Sequence, residues 1–135
     1  MSKVVACGID IEELARFDKH AEGAEDALLR DICTEREIGN LRSDRRLHLA
    51  LAFSCKEAMF KALGASWLNS GISFKEIELL FGGPGFTGYE IELSGCAQEI
   101  LADQGCDKID VSLEYNKEYV IVQIVLLAPG IGMNG

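Results

Sequence analysis

A chain of 135 residues with 48% hydrophobic and 26% charged side chains has the make-up of a soluble globular protein and the length of one domain, residues 1–135. The net charge of −9 excludes nonspecific nucleic-acid binding, which needs a cationic footprint, and no apolar run is long enough to cross a bilayer. The apolar stretch after Lys3 ends at Asp10, too soon for a signal-peptide core, so a cytoplasmic location is expected.

Cys7, Cys33, Cys55, Cys96 and Cys106 are odd in number and lack C-x-x-C spacing. They are expected to be plain, mostly buried thiols rather than disulfides or zinc ligands. Any anionic ligand must find local positive charge, and Arg36, Arg42, Arg45 and Arg46 cluster in sequence.

In chain order, Val4–Ile9 reads as a buried strand. Asp10 then opens a predicted helix from Ile11 to about His20, with Glu13 three residues after Asp10 completing a capping box. A second helix is expected over Ala24–Ile32. Thr34-Glu35-Arg36-Glu37 is another capping box, and it starts a short helix that Gly39-Asn40 ends. From about Asp44 to Leu63 the pattern is long and helical, with Leu49, Phe53, Glu57, Phe60 and Gly64 on one face and alanines filling much of the rest. So little polar surface predicts the central buried helix, ended by Gly64.

Phe74–Phe81 and Tyr89–Leu93 read as strands around the Gly82-Gly83-Pro84-Gly85 turn. Ser94 is expected to cap a helix to about Gln104. Lys108–Tyr115 alternates, Asn116-Lys117 is a hairpin turn, and Tyr119–Leu127 is apolar enough to be central or covered on both faces. Helices grouped with a mostly antiparallel sheet make an α+β domain.

Two carboxylates stand where packing alone would not put them. Asp10 follows Gly8-Ile9, and it is either a helix cap or a functional acid. Glu57 lies on the apolar stripe of the long helix, where it either pairs with Lys61 four residues on or binds a metal.

Together the two segments resemble a known family. Gly8-Ile9-Asp10-Ile11, followed by Phe53-Ser54-Cys55-Lys56-Glu57-Ala58-Met59-Phe60-Lys61-Ala62-Leu63-Gly64, is similar to the paired signature of holo-acyl-carrier-protein synthases, which are 4′-phosphopantetheinyl transferases. The likeness extends to Thr34–Glu37, to Ile72–Glu78 and to the closing Val111–Tyr119 hairpin, and so covers essentially the whole chain. It implies the phosphopantetheinyl transferase fold, an antiparallel sheet with a long central helix, assembled as a homotrimer with active sites between subunits.

The resemblance further implies that Asp10 and Glu57 hold Mg²⁺ and that Lys61 contacts the diphosphate of coenzyme A. Lys56 is expected to face the nucleotide or pair with an acid, Gly64 belongs to the nucleotide site, and Arg16 grips an acidic carrier protein. Some family residues are replaced. Ala52 stands for an arginine, Gly64-Ala65-Ser66 for Gly-Thr-Gly, Gly83 for a lysine and Tyr115 for a histidine. All of these losses fall on nucleotide contacts, for which Arg45 or Arg46 could substitute. The implied activity is transfer of phosphopantetheine from coenzyme A to an acyl carrier protein. The alternative is a non-catalytic oligomeric module that binds a carrier protein or nucleotide.

Overall fold

The long apolar helix organises the molecule. In the computed structural model, which describes residues 1–20, 27–64 and 71–130, helix α3 runs over Arg45–Ala62. Asp44 caps it, its side chain accepting from Leu47 N. Leu49, Leu51, Cys55, Met59 and Phe60 are buried, with Ala50, Ala52, Ala58 and Ala62 between them. The alanines keep the helix slim, so other elements approach it from several sides.

Strands β1 (Ser2–Glu13), β4 (Lys108–Tyr115) and β5 (Tyr119–Pro129) form one antiparallel sheet in the order β1-β5-β4. Strands β2 (Ile77–Phe81) and β3 (Tyr89–Leu93) form a separate hairpin. Short helices α1 (Ala27–Ile32) and α2 (Glu35–Gly39) precede α3, and α4 (Gly95–Asp103) links β3 to β4. The core is the α3 surface packed on β1 and β5, with Val120, Val122, Ile124 and Leu126 of β5 fully buried beneath it. No helix among the described residues is long and apolar enough to cross a membrane.

The closest approach is at Gly8. A Cβ there would overlap the Ala58 carbonyl oxygen and come within 2.7 Å of Ala62 N. Both obstacles are backbone, so no rotamer change could relieve them.

The structure departs from the sequence expectations in several places. Asp10 does not cap a helix: β1 pairs with β5 from Ser2↔Pro129 to Glu13↔Tyr119, with one bulge between Val4 and Ala6. The ladder offers the backbone more hydrogen bonds than a cap at Asp10 would, so the helical turns, of 3₁₀ type, begin only at Leu14. Phe74–Glu76 is likewise a 3₁₀ turn, and the following strand starts at Ile77. Ser94 precedes α4 but its side chain makes no capping bond. Glu76 reaches over instead and accepts from Ala97 N at 3.0 Å. Strand β5 is central, yet covered on one face only; Tyr119, Ile121 and Gln123 are exposed on the other. The Thr34–Glu37 capping box and the helix end at Asn40 are as expected. Cys33, Cys55 and Cys106 are buried, Cys96 is half-buried and Cys7 exposed.

His48 sits beneath Phe81 and Phe86, with ring centroids 5.1 and 5.8 Å away, and its Nδ1 accepts from Arg42 N at 2.9 Å. Burial, helped by the Arg42 charge, lowers its pKa from 6.5 to about 4.

Two outcomes are expected. Gly8→Ala should destabilise the fold by about 2–3 kcal/mol or more, read as a fall in the denaturant midpoint. For His48 the folded pKa lies below the unfolded value, so the unfolded chain takes up the proton first as pH falls. Its contribution is complete above about pH 6.5 and is lost towards pH 4, up to about 3 kcal/mol. His48→Gln keeps an acceptor for Arg42 N but does not titrate. The difference in unfolding free energy between wild type and this variant should therefore change across that window and be flat above it.

Candidate active site

Period-two alternation along β1 decides which side chains meet α3. Gly8, Asp10, Glu12 and Leu14 point inward and are buried, whereas Cys7, Ile9, Ile11 and Glu13 point out and are exposed. The strand is thus inverted in polarity, with two acids on the covered side and two isoleucines on the open side. A sequence optimised only for a monomeric core would do the reverse.

Asp10 is 7% exposed and is held by two side chains of α3. Ser54 Oγ of α3 donates to its carbonyl at 3.1 Å. Lys61 Nζ donates to Ile9 O at 2.9 Å and to Asp10 Oδ1 at 3.1 Å. Its other oxygen, Oδ2, is buried, no N–H or hydroxyl group donates to it, and the Asp10 carboxylate shares a hydrogen bond with the Glu12 carboxyl. Glu57, one turn before Lys61 on α3, is half-buried. Its pKa is raised by burial and then by the negative charge of Asp10, partly offset by Lys61 and Arg16. The two acids are distant in sequence, and each lies within the other's field across the β1–α3 contact.

Glu12 is the residue that sequence reasoning missed. It is 6% exposed, beside Asp10 on the same strand face, and paired with the exposed Arg16. Its carboxyl is pushed up to about 8, first by burial, then by its hydrogen bond to Asp10 and the Asp10 charge, against the opposing pull of Arg16. The usable signal was the spacing Asp10-x-Glu12. It places both acids on one face of a strand, a relation that a helical segment would not have.

This donor set fits a hard divalent cation. The oxygens are carboxylate, one is buried without an N–H or hydroxyl donor, and Mg²⁺ is commonly held by one or two carboxylates with waters and substrate phosphates completing its shell. Among the described residues, no group of three or more His, Cys, Asp or Glu is preassembled as a metal cage.

Other expected site residues lie elsewhere. Lys56 is fully buried. Its Nζ donates to Glu37 Oε1 at 2.9 Å, to Phe74 O at 3.1 Å and to Ile77 O. Of the two expectations for Lys56, pairing with an acid is therefore the correct one, and a nucleotide cannot reach it. Glu37 also accepts from Leu79 N at 3.0 Å, so the pair fastens α2, α3 and β2 together.

Arg45 and Arg46 occupy the start of α3 and Lys61 its last turn, roughly 24 Å apart along the axis. Arg46 pairs with Asp18 at 2.6 Å. Within one chain these arginines cannot line the cleft of Lys61. Gly64 has φ +70° and open space above it, as expected of the left-handed residue that ends a helix.

Among the replaced family residues, Ala52 is buried at 1% exposure, so an arginine restored there would meet core packing. A side chain at Gly83 would overlap Thr87 within the closed hairpin. Tyr115 is exposed with its ring on Phe86, centroids 5.9 Å apart. Ser66 lies outside the described residues.

Residues 6–120 match the family model of the 4′-phosphopantetheinyl transferase superfamily, and the chain belongs to that family. The chain is 34% identical over 128 residues to a holo-[acyl-carrier-protein] synthase of Geobacter sp. (strain M21), covering 91% of this chain and 98% of that one. Among solved structures, a holo-(acyl-carrier-protein) synthase of Bacillus anthracis in complex with CoA (3′,5′-ADP) matches with TM-score 0.70 and 28% identity over 93% of this chain and 98% of that one. The Neisseria meningitidis holo-[acyl-carrier-protein] synthase matches in fold with TM-score 0.77 and 23% identity, over 92% of this chain and 98% of that one.

The buried pair makes its own prediction. Lys56→Met strands the Glu37 carboxylate and should cost about 3–5 kcal/mol in chemical denaturation. Lys56→Met with Glu37→Leu should recover much of that loss. A double variant as unstable as the sum of the single ones would show that the two residues act separately.

Proposed function

We propose that this chain is a holo-[acyl-carrier-protein] synthase of the cytoplasm. It transfers 4′-phosphopantetheine from coenzyme A to a serine of an apo-acyl carrier protein and releases adenosine 3′,5′-bisphosphate. The observation that carries this reading is the meeting of Asp10, Glu57 and Lys61 where β1 crosses α3. Those are the three residues at which the two family motifs coincide.

Asp10 and Glu57 would hold Mg²⁺, which when bound supplies positive charge to the diphosphate during displacement. The carrier serine oxygen forms a bond to the β-phosphorus, and the bond from that phosphorus to the bridging oxygen breaks. The nucleotide leaves with the bridging oxygen, and the serine proton passes to solvent or a site base. Lys61, half-exposed and already beside Asp10, is placed to meet a diphosphate oxygen. Gly64, with open space over its backbone, lets a nucleotide approach the end of α3.

We further propose a homotrimer in which a second copy completes the site. The outward face of the sheet exposes Ile9, Ile11, Tyr119 and Ile121 together, an apolar surface that a monomer would leave wet. The separation of Arg45 and Arg46 from Lys61 points the same way: the arginines reach the nucleotide only if they come from a neighbour's α3.

Incubation with coenzyme A, Mg²⁺ and apo-acyl carrier protein should yield the phosphopantetheine adduct by mass spectrometry, and Asp10→Ala and Glu57→Ala should each abolish it. No adduct from wild type would favour the non-catalytic module. The shared site has a separate test. Asp10→Ala and the double variant Arg45→Ala/Arg46→Ala should each be inactive or nearly so alone. Co-refolding them should restore part of the activity, because mixed oligomers contain some clefts with both intact halves. No recovery in demonstrably mixed oligomers would overturn the shared cleft, and a monomer by light scattering would overturn the trimer.

A further inference from the structure

The edge of a sheet is a row of unpaired N–H and C=O groups, and a fold either covers it or leaves a template for another strand. In an antiparallel ladder alternate residues bond to the neighbouring strand, and those between them point their backbone groups to the free side. The bond from Asn116 N to Tyr119 O fixes that phase for β4. Asp110, Ser112 and Glu114 bond to β5, and Ile109, Val111 and Leu113 point to the open edge. The bond from Ser94 N to Glu76 O fixes it for the hairpin. Glu90 and Glu92 bond to β2, and Tyr89, Ile91 and Leu93 of β3 point away. The outer edge of β2 is closed by side chains. Ile77 O accepts from Lys56, Leu79 N donates to Glu37 at 3.0 Å, and Phe81 exchanges two bonds with Asn40 at 2.8 and 2.9 Å.

The edges of β3 and β4 have no such cover. No ladder joins the two strands, although both line one cleft of about 400 Å³. Tyr89, Glu90 and Ile91 form one wall and Ile109, Asp110 and Val111 the other. A tyrosine side chain spans the gap, the Tyr89 hydroxyl donating to Val111 O at 3.4 Å. The inward side chains Tyr89, Ile91, Leu93, Ile109, Val111 and Leu113 all pack on the core but are only half-buried, so the apolar layer is incompletely covered along this seam. On the outer side Glu90 and Asp110 are exposed. Among the described residues Glu90 makes no salt bridge, and Asp110 has only Lys108 at 4.0 Å.

We propose that this seam is a docking groove for an extended segment of a partner protein in which apolar and basic side chains alternate, taken up by strand addition. The free backbone groups of β3 and β4 supply its hydrogen bonds. Period two then sorts the segment's side chains: one set meets Ile91, Ile109 and Val111, and the other meets Glu90 and Asp110. Like charge disfavours an acidic segment, and a neutral one leaves both carboxylates without cations. The groove lies on the far side of β5 from β1, so it is separate from Asp10 and does not rest on the activity proposed above.

The probe is a fluorescein-labelled heptapeptide of alternating lysine and valine, titrated with the full chain and read by fluorescence anisotropy. One control peptide alternates glutamate with valine. Another is the lysine–valine peptide N-methylated at every valine, which keeps its charge and loses the donors of one edge. Strand addition predicts saturable binding that is absent for the glutamate peptide and falls about tenfold or more on N-methylation. Glu90→Gln combined with Asp110→Asn should also weaken binding about tenfold, with an unchanged denaturant midpoint because both side chains are exposed.

Amide exchange followed by NMR gives a readout free of variants. The N–H groups of Ile91, Ile109 and Val111 should exchange fast in the free protein and about tenfold or more slowly with peptide bound, whereas those of Asp110 and Ser112, bonded to β5, should be slow throughout. Binding that survives N-methylation and leaves the edge amides fast is charge attraction alone and overturns the groove, as does no binding. Slow exchange of the same amides in peptide-free protein, lost on dilution, would assign the seam to a second copy of this chain and equally overturns the proposal.

Discussion

The distance at which β1 may pass α3 governs the rest of this molecule. Gly8 brings the strand so close that a single added carbon would overlap the helix backbone. That contact lets Ser54 reach the Asp10 carbonyl and lets Lys61 reach both Ile9 and Asp10. A strand held one side chain further off would break these bonds and carry Asp10 away from Glu57. The alanines of α3 serve the same end from the other side, since Ala58 and Ala62 form the surface that Gly8 meets.

Charge inside this fold is handled in two contrasting ways. Lys56 and Glu37 form a closed arrangement: each is fully buried, and each makes several further hydrogen bonds to backbone. Nothing remains for a ligand, so the pair works as a fastener between α2, α3 and β2. The carboxylates of β1 are the open case. Asp10 keeps an oxygen to which no N–H or hydroxyl group donates, while Glu12 and Glu57 hold their protons more tightly than ordinary acids. Buried polar groups are costly when left incomplete, and this incomplete set at the β1–α3 crossing is where we propose that the cation binds.

The outer face of the sheet belongs to the same logic. With the acids of β1 turned inward, alternation sends Ile9 and Ile11 outward, next to Ile121 and Tyr119 of β5. A strand cannot carry its carboxylates on the covered side without presenting its other residues to the open side. The inverted polarity of β1 thus links a polar interior site to an apolar exterior surface.

Sequence by itself determined the elements whose signals are local. The capping box at Thr34, the limits of α3, strand β3 and the alternation of β4 all rest on spacings of a few residues, and each lies where those spacings put it. It also identified Asp10, Glu57 and Lys61 as worth attention, because acids beside apolar motifs stand out in any window. Tertiary structure alone decided that Asp10 lies in a strand, since the competing cap is local whereas the β5 ladder that displaces it is more than a hundred residues away in sequence. It alone decided that Lys56 is sealed off while Lys61 is open, because neighbouring turns of one helix face different partners. And it alone revealed Glu12, whose inward direction follows only once β1 extends past Asp10. Short-range patterns name the residues; which face of which element they share depends on partners that only the folded chain brings near.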